Sequence, residues 1–194
     1  KSKPIKKIDV RKMAIIGVLA AISIMLSMTP LGFIPIGPTN ATIMHIPVII
    51  GAILEGPVVG IVVGFIFGAS SLIRNLTMPT ITSFAFINPL VSVLPRILIG
   101  VVAYYVYKLI MKISKNAFVS GWITGVIGSL VNTIGVLGMI YILYGARYVE
   151  ALGKSAATAK TVILTLIATN GIPEAIVGGF VVSAVCIIFN KRKK

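Results

Sequence analysis

Acidic side chains are rare in this chain, whose 194 residues include four Asp and Glu residues against 18 Lys and Arg residues. The formal net charge is therefore +14, yet 57% of the residues are apolar and the mean hydropathy is +1.06. A soluble protein that binds nucleic acid can carry this net charge, but it does not combine the charge with such hydropathy. The composition predicts a protein that lies in a lipid bilayer and has no nucleic-acid partner.

Residues that carry chemistry are equally scarce, with a single His and a single Cys. Cys186 lies in the last apolar stretch, so the chain can form no internal disulfide and no thiolate metal cluster. The sequence shows no metal-binding spacing, no nucleophile with a base, no paired carboxylates and no phosphate-binding glycine loop. We therefore expect no metal, no other cofactor and no enzymatic activity, including ATP hydrolysis.

Long apolar stretches make up most of the chain and predict an all-α fold. About 20 residues cross a bilayer as a helix. The second stretch is too short to cross alone, and Gly56 and Pro57 break the helix after it, which predicts a tight helical hairpin. We expect a single transmembrane domain over residues 1–194, a bundle of six transmembrane helices with spans near 13–29, 46–55, 57–74, 88–108, 117–144 and 161–189.

Lys and Arg residues are distributed unequally between the two sides of this bundle. Arg96 falls inside the fourth span, and four others lie on one side: Arg74, Arg147, Lys154 and Lys160. The remaining thirteen share the opposite side: Lys1, Lys3, Lys6, Lys7, Arg11, Lys12, Lys108, Lys112, Lys115, Lys191, Arg192, Lys193 and Lys194. Because cytoplasmic loops of membrane proteins are enriched in basic residues, we expect both termini to be cytoplasmic.

Small residues recur at helical spacing in three spans, and in lipid such residues allow helices to approach closely. Two ridges are assigned to packing inside the bundle: Gly56, Gly60, Gly64 and Gly68, and Gly121, Gly125, Gly128, Asn132 and Gly135. Ala14, Gly17 and Ala21 lie near the cytoplasmic end of the first span and offer a groove to a partner helix. Packing of these three residues within the same chain is the alternative.

Polar residues within the spans are candidates for a binding site, because an unpaired polar group in hydrocarbon is costly. We expect several of them to converge on the outer half of the bundle, below the Pro-rich loop from Pro30 to Met44. This loop is suited to form a structured lid over a cavity. The candidate substrate-binding residues are Asn40, Thr42, His45, Arg96, Asn132, Asn170 and Glu174.

Several of these candidates have a structural alternative. Arg96 and Glu174 can form an ion pair with each other, and Asn132 can make an interhelical hydrogen bond within its glycine ridge. His45, at the membrane interface, is more often a satisfied surface histidine, and Asn170 can satisfy carbonyls that the following proline frees. The sequence alone does not separate these roles from ligand binding.

The whole chain resembles the substrate-binding subunits, or S components, of energy-coupling factor (ECF) vitamin transporters. The resemblance rests on the basic N-terminus, the helix Ala14-x-x-Gly17-x-x-x-Ala21, the stretch 29–57 (TPLGFIPIGPTNATIMHIPVIIGAILEGP), the helix with Gly60, Gly64 and Gly68, and six spans. Residues 31–57 and the segment Asn170-Gly-Ile-Pro-Glu174 are most similar to the branch thought to carry pantothenate.

This resemblance implies a six-helix bundle in the prokaryotic plasma membrane that binds one vitamin from outside and closes the site with its first loop. The loaded protein is then expected to dock on a membrane coupling subunit that two cytoplasmic ATPase subunits drive. The family's Ala-x-x-x-Ala docking motif corresponds to Gly17 and Ala21, with glycine in the first position.

The resemblance also implies pantothenate as the substrate. Pantothenate is an anion with hydroxyls and an amide, so we expect Arg96 to hold its carboxylate and Asn132, Asn170 and Glu174 to bond the remainder. Folate, riboflavin or a thiamine-related compound in the same role stays open, although His45 and its neighbours lack the acidic residue that riboflavin-binding members carry. A self-sufficient ion-coupled transporter and a non-transporting scaffold or receptor also stay open.

Overall fold

A computed structural model describes residues 10–36 and 39–191, with side chains except at 34–36, 39–41 and 191. Its elements are α1 (Val10–Met28), β1 (Phe33–Ile36), β2 (Thr39–Thr42), α2 (Ile46–Glu55), α3 (Pro57–Thr77), α4 (Ser83–Phe86), α5 (Pro89–Ser92), α6 (Leu94–Ser114), α7 (Ala117–Ala151) and α8 (Ala159–Lys191). Single 3₁₀ turns precede β1 and α8. The described chain is therefore helical, as the apolar stretches predict, apart from one short β-hairpin.

Five helical segments are long and apolar enough to cross a bilayer in the described part of the chain: Val10–Met28, Pro57–Thr77, Pro89–Ser114, Ala117–Ala151 and Ala156–Asn190. The sixth apolar helix, α2, has ten residues and is about 15 Å long at 1.5 Å per residue. It is half the length of a bilayer's hydrocarbon core, which is about 30 Å thick.

Helix α2 lies in the centre of the bundle. The side chains of Val48, Ile49 and Ala52 have no exposed surface. The helix ends at Gly56, whose φ of +99° lies in the left-handed region that favours glycine, and α3 begins at Pro57. The predicted break between the second and third apolar stretches is confirmed. The first half of α2 is buried by its neighbours.

The glycine ridge of α3 packs against α6 and α5. A Cβ atom at Gly60 would lie 2.9 Å from the Cα atom of Gly100, and one at Gly64 would overlap the carbonyl oxygen of Arg96. A Cβ atom at Gly68 would lie 2.7 Å from the carbonyl oxygen of Ser92, the last residue of α5. The close backbone approach that small residues allow in lipid is therefore used inside the bundle, as predicted.

Helix α7 is the hub of the bundle, and its glycine ridge contacts three other helices. Gly121 meets the backbone of α8, Gly128 meets Ile49 of α2, and Gly135 meets Pro95 of α6. The helix continues past residue 144, where the predicted span ends, because its last turns pack on α4 and α5. The residues buried there include Ala85, Val91, Tyr148 and Val149.

The Pro-rich first loop contains a two-stranded antiparallel hairpin, β1–β2, in which Phe33 is paired with Thr42. Its strands were not predicted, although a structured loop was. Gly32 lies so close to the carbonyl oxygen of Leu26 that a Cβ atom would overlap it, and the amide of Ile43 donates to the Gly32 carbonyl at 3.1 Å. The hairpin is thereby fastened to the end of α1. We call the end of the bundle with the hairpin, α4 and α5 the hairpin end.

Candidate substrate-binding site

A cavity of about 340 Å³ lies at the hairpin end, near the small end of the range of roughly 300–1,000 Å³ typical of ligand pockets. Its polar lining includes Arg74, Arg96, Asn75, Asn132 and Thr42, and its apolar lining includes Phe33, Met44, Phe67 and Phe86. Among the described residues that line it, two are cations and none is Asp or Glu. This lining suits a small anion that also carries neutral polar and apolar groups.

Arg96 lies in the first turn of α6 and is 6% exposed. Its Nη1 donates to the carbonyl oxygen of Val91 at 2.6 Å, and its guanidinium carbon lies 5.4 Å from the ring centroid of Phe67. Its Nε is buried and has no hydrogen-bond partner in the described structure. Buried cations in membrane spans are normally paired, so this guanidinium retains the capacity to bind an anion.

Asn132 lines the same cavity from α7 and is 8% exposed. Its Oδ1 is buried and accepts no hydrogen bond from any described residue. The interhelical hydrogen bond considered as an alternative is therefore not formed by this oxygen. The structure brings Asn132, Arg96 and Thr42 to one cavity, as the sequence predicted for these three residues.

Glu174 joins three elements behind the cavity. Its Oε1 accepts from the backbone N–H of Thr42 at 2.9 Å and from the Thr42 hydroxyl at 2.6 Å, and its Oε2 accepts from the Thr133 hydroxyl at 2.6 Å. The carboxylate is 4% exposed and has no ion-pair partner within 4 Å among the described residues. The direct ion pair with Arg96 is therefore absent there, and Glu174 instead ties the hairpin to α7 and α8.

His45 is fully buried, so the alternative considered for this candidate, a surface histidine, is excluded. It immediately precedes α2, and the bundle encloses that helix. Its Nε2 lies 2.8 Å from the hydroxyl of Ser129, which itself donates to the carbonyl of Gly125 at 2.8 Å. We therefore assign the proton to Nε2, since the hydroxyl must accept there. Nδ1 is then a buried acceptor without a partner among the described atoms, and His45 does not line the cavity.

The two remaining candidates are Asn170 and Asn40. Asn170 is partly buried on α8, and its Oδ1 has no partner in the described structure, so this oxygen accepts no hydrogen bond there. Asn40 is paired with Pro35 in the hairpin register, and its side chain lies outside the described set. Asn170 is not among the described residues that line the cavity.

Sequence reasoning missed the contribution of α3 and the segment after it. Arg74 and Asn75 line the cavity with Ser71, one turn earlier, and the guanidinium carbon of Arg74 lies 5.3 Å from the ring centroid of Phe33. The hydroxyl of Ser83 donates to the Asn75 side-chain oxygen at 2.7 Å, which fastens the segment to α3. The i, i+3, i+4 spacing of three polar residues at the end of an apolar helix was a usable signal.

Three small residues near the start of α1 face away from the bundle. Ala14, Gly17 and Ala21 are all exposed, and a Cβ atom at Gly17 would meet no described atom within 4 Å. An ion pair of 3.3 Å between Arg11 and Glu55 ties the start of α1 to the end of α2. The exposed small-residue face is therefore on a helix whose position is fixed by other contacts.

Comparison with known proteins gives concordant results. The family model described as "ECF transporter, substrate-specific component" matches residues 11–186. Pantothenic acid transporter PanT of Lactococcus lactis subsp. cremoris is 26% identical over 204 residues, covering 97% of this chain and 98% of that protein. Pantothenate transporter PanT of Leuconostoc mesenteroides subsp. mesenteroides is 28% identical over 163 residues, covering 80% of this chain and 79% of that protein.

A solved structure of ThiT from Listeria monocytogenes has the same fold, with a TM-score of 0.63 at 19% identity, covering 94% of this chain and 96% of that one. The family match includes all but the outermost residues of the five long apolar helices described above. This chain is a membrane protein that belongs to the family of substrate-specific components of ECF transporters.

Proposed function

We propose that this S component captures pantothenate outside a prokaryotic cell and delivers it across the plasma membrane through an ATP-driven coupling module. The observation that carries the choice of substrate is Arg96, a buried cation in a cavity whose described lining contains no acidic residue. Pantothenate carries one carboxylate, and relatives that match most of the chain are pantothenate transporters by name.

The cavity offers a partner for each part of this ligand. Arg96 binds the carboxylate through its Nε–H group, which has no partner among the described residues, because charge-assisted hydrogen bonds are the strong ones. Asn132 and Thr42 bond the amide and hydroxyl groups. Phe67 and Phe86 pack on the apolar part of the ligand. A site built to bond these groups discriminates against analogues that lack them, since its own buried polar atoms would stay unpaired.

The hairpin β1–β2 acts as a lid in this proposal. Thr42 lines the cavity and at the same time donates two hydrogen bonds to Glu174. Glu174 thus acts on the substrate through the position of Thr42, a different role from the direct contact expected from the sequence. The capacity of Glu174 to accept from a ligand is already largely used by the protein, since both of its oxygens accept from threonines.

We further propose six membrane helices, with both termini in the cytoplasm and the hairpin end outside. The excess of basic residues at the termini and near the α6–α7 turn supports this orientation under the positive-inside rule. Helix α2 crosses only together with its neighbours, because it is too short to span a bilayer alone.

The face of α1 formed by Ala14, Gly17 and Ala21 is the proposed docking surface for the membrane coupling subunit. We expect Gly17→Leu to block ATP-dependent uptake and leave pantothenate affinity unchanged, because Gly17 is exposed and a Cβ atom there would meet no described atom within 4 Å. Gly138→Leu is the matched control, since a Cβ atom there also meets nothing within 4 Å. Assembly of the Gly17→Leu protein with the coupling subunit at wild-type level would remove this surface from the proposal.

The test of the proposed function is uptake of labelled pantothenate by proteoliposomes that contain this protein with a coupling subunit and two ATPase subunits. We expect uptake that needs ATP and all the subunits. Uptake by the protein alone, without ATP, would replace the proposal with a self-sufficient transporter. Transport of a different vitamin in the complete complex would preserve the role and change the substrate.

A further inference from the structure

Arg74 is a second cation in the cavity. It lies in the last turn of α3, is partly exposed, and has its guanidinium carbon 5.3 Å from the ring centroid of Phe33 in the hairpin. Among the described residues, no carboxylate lies within 4 Å of it and its side chain makes no hydrogen bond. Its N–H groups are therefore available to a ligand, while the aromatic ring limits the freedom of the side chain.

The two arginines lie at different depths. Arg96 contacts Phe67 of α3, and positions 67 and 74 on that helix are two turns apart, about 10 Å at 1.5 Å per residue. Arg96 is 6% exposed, whereas Arg74 is partly exposed at the hairpin end. A ligand that enters from the hairpin end therefore meets Arg74 before it reaches Arg96.

We propose that Arg74 is a further substrate-binding residue, a cation at the cavity mouth that attracts the carboxylate before Arg96 takes it. This role rests on the proposed function, which makes the ligand an anion. A charge at the rim of a site acts mainly on the association rate and its salt dependence, whereas a buried charge acts mainly on the dissociation rate. The two arginines then divide capture and retention between them.

Arg147 provides a matched control on the same side of the bundle. Its guanidinium carbon also lies over an aromatic ring, 4.2 Å from the centroid of Phe84, but the residue does not line the cavity. Arg74→Gln and Arg147→Gln therefore remove the same charge from two similar contacts. A difference between them reports the position of the charge rather than the net charge of the protein.

The experiment measures pantothenate binding to the protein in nanodiscs of neutral lipid, by surface plasmon resonance, at about 0.01 M and about 1 M salt. Screening lengths are about 30 Å and about 3 Å under these conditions. We expect Arg74→Gln to lower the association rate about tenfold at low salt and to lose this difference at high salt. Arg147→Gln is expected to bind like the wild type, and Arg74→Lys, which keeps the charge, is expected to associate at nearly the wild-type rate.

A second variant covers the case in which Arg74→Gln fails to fold. Ser71→Asp places a carboxylate one turn before Arg74 in the same cavity wall, and we expect it to slow association in the same way. If the wild type binds pantothenate, two results would overturn the role of Arg74. One is equal association rates for Arg74→Gln and Arg147→Gln, and the other is an effect of Arg74→Gln on the dissociation rate alone. Failure of the wild type to bind pantothenate would overturn the proposed function and this role with it.

Discussion

Replacement of Arg96 by methionine removes the buried cation and keeps most of the side-chain volume. We expect Arg96→Met to lose affinity for pantothenate and to stay folded. The side chain is 6% exposed, donates one hydrogen bond to Val91, and has a buried Nε without a partner in the described structure. Since no carboxylate lies within 4 Å of it, removal of the charge strands no acidic partner among those residues.

The magnitude follows from the burial of the charge. Loss of one partner of a buried, hydrogen-bonded charge pair costs about 2–5 kcal/mol of binding free energy. At 1.4 kcal/mol per factor of ten, the dissociation constant rises about 30-fold to 4,000-fold. Without ligand, Arg96→Met removes one hydrogen bond of about 1.5–3 kcal/mol, which lowers stability, and also removes a buried charge that has no ion-pair partner among the described residues, which raises stability. Because the two effects oppose each other, we expect the melting temperature not to fall.

The assay is isothermal titration calorimetry with pantothenate and with pantothenol, in which an alcohol replaces the carboxylate. The wild type is expected to bind pantothenol more weakly by a factor similar to that for the substitution, and Arg96→Met is expected to bind the two ligands alike. Thermal unfolding with and without pantothenate checks the fold, because a ligand stabilises only a protein that binds it. Arg147→Met is the control for a lost surface charge.

Two results would refute this account of Arg96. Wild-type affinity of Arg96→Met for pantothenate would show that the carboxylate is held elsewhere. An equal loss of affinity for pantothenate and pantothenol would show that Arg96 shapes the cavity and does not bind the carboxylate.

Three further predictions concern the lid, the cavity wall and the packing. Glu174→Gln is expected to weaken pantothenate binding about tenfold, since charge-assisted hydrogen bonds contribute about 1.5–3 kcal/mol. It is also expected to speed hydrogen exchange at the Thr42 amide, which donates to Glu174. Unchanged exchange would contradict the proposal that Glu174 holds the hairpin in place. Asn132→Leu is expected to raise the melting temperature of the ligand-free protein, because an unpaired buried oxygen is removed. It is also expected to lower the affinity for pantothenate, because a polar group of the cavity is lost. A lower melting temperature would contradict the first expectation. Gly64→Ala is expected to cost about 1–3 kcal/mol of stability through overpacking against α6, whereas Gly138→Ala, in open space, should cost little in the same melting experiment.

The helices and their contacts were predictable because their signals are local. Gly56 ends one helix and Pro57 begins the next. The glycines of the α3 ridge, including Gly64, recur at every fourth position, the spacing that lets a helix lie close to its neighbour. The end of α7 was placed too early, because its last turns carry polar residues that solvent-side loops also contain. Tyr148 and Val149 in those turns are nevertheless buried against α4 and α5.

The hairpin was not predictable as strands, because a contact distant in sequence holds it. Thr42 at the end of β2 bonds Glu174, which lies 132 positions away. Pro35 within β1 also weakens the strand signal, since proline cannot donate to a ladder. The sequence showed only that the loop has little entropy to lose on ordering.

Residues that line the cavity were predictable where a polar group interrupts hydrocarbon, and Thr42 was predictable from its place in the Pro-rich loop. Arg96 and Asn132 were identified because a polar group in a span is costly and so has a reason to be there. Arg74 was missed because a basic residue at the end of a membrane helix is ordinary and served only to count charge. His45 was expected to bind substrate, with a surface position as the alternative, because the sequence does not show that the bundle encloses the start of α2.

Native mass spectrometry of the gently purified protein, followed by denaturing extraction, would show whether the cavity holds pantothenate. We expect a bound mass that matches pantothenate in the wild type and a much smaller bound fraction in Arg96→Met. A different bound vitamin would preserve the family role and contradict the substrate. A protein that is empty and gains no mass when pantothenate is added would contradict the account.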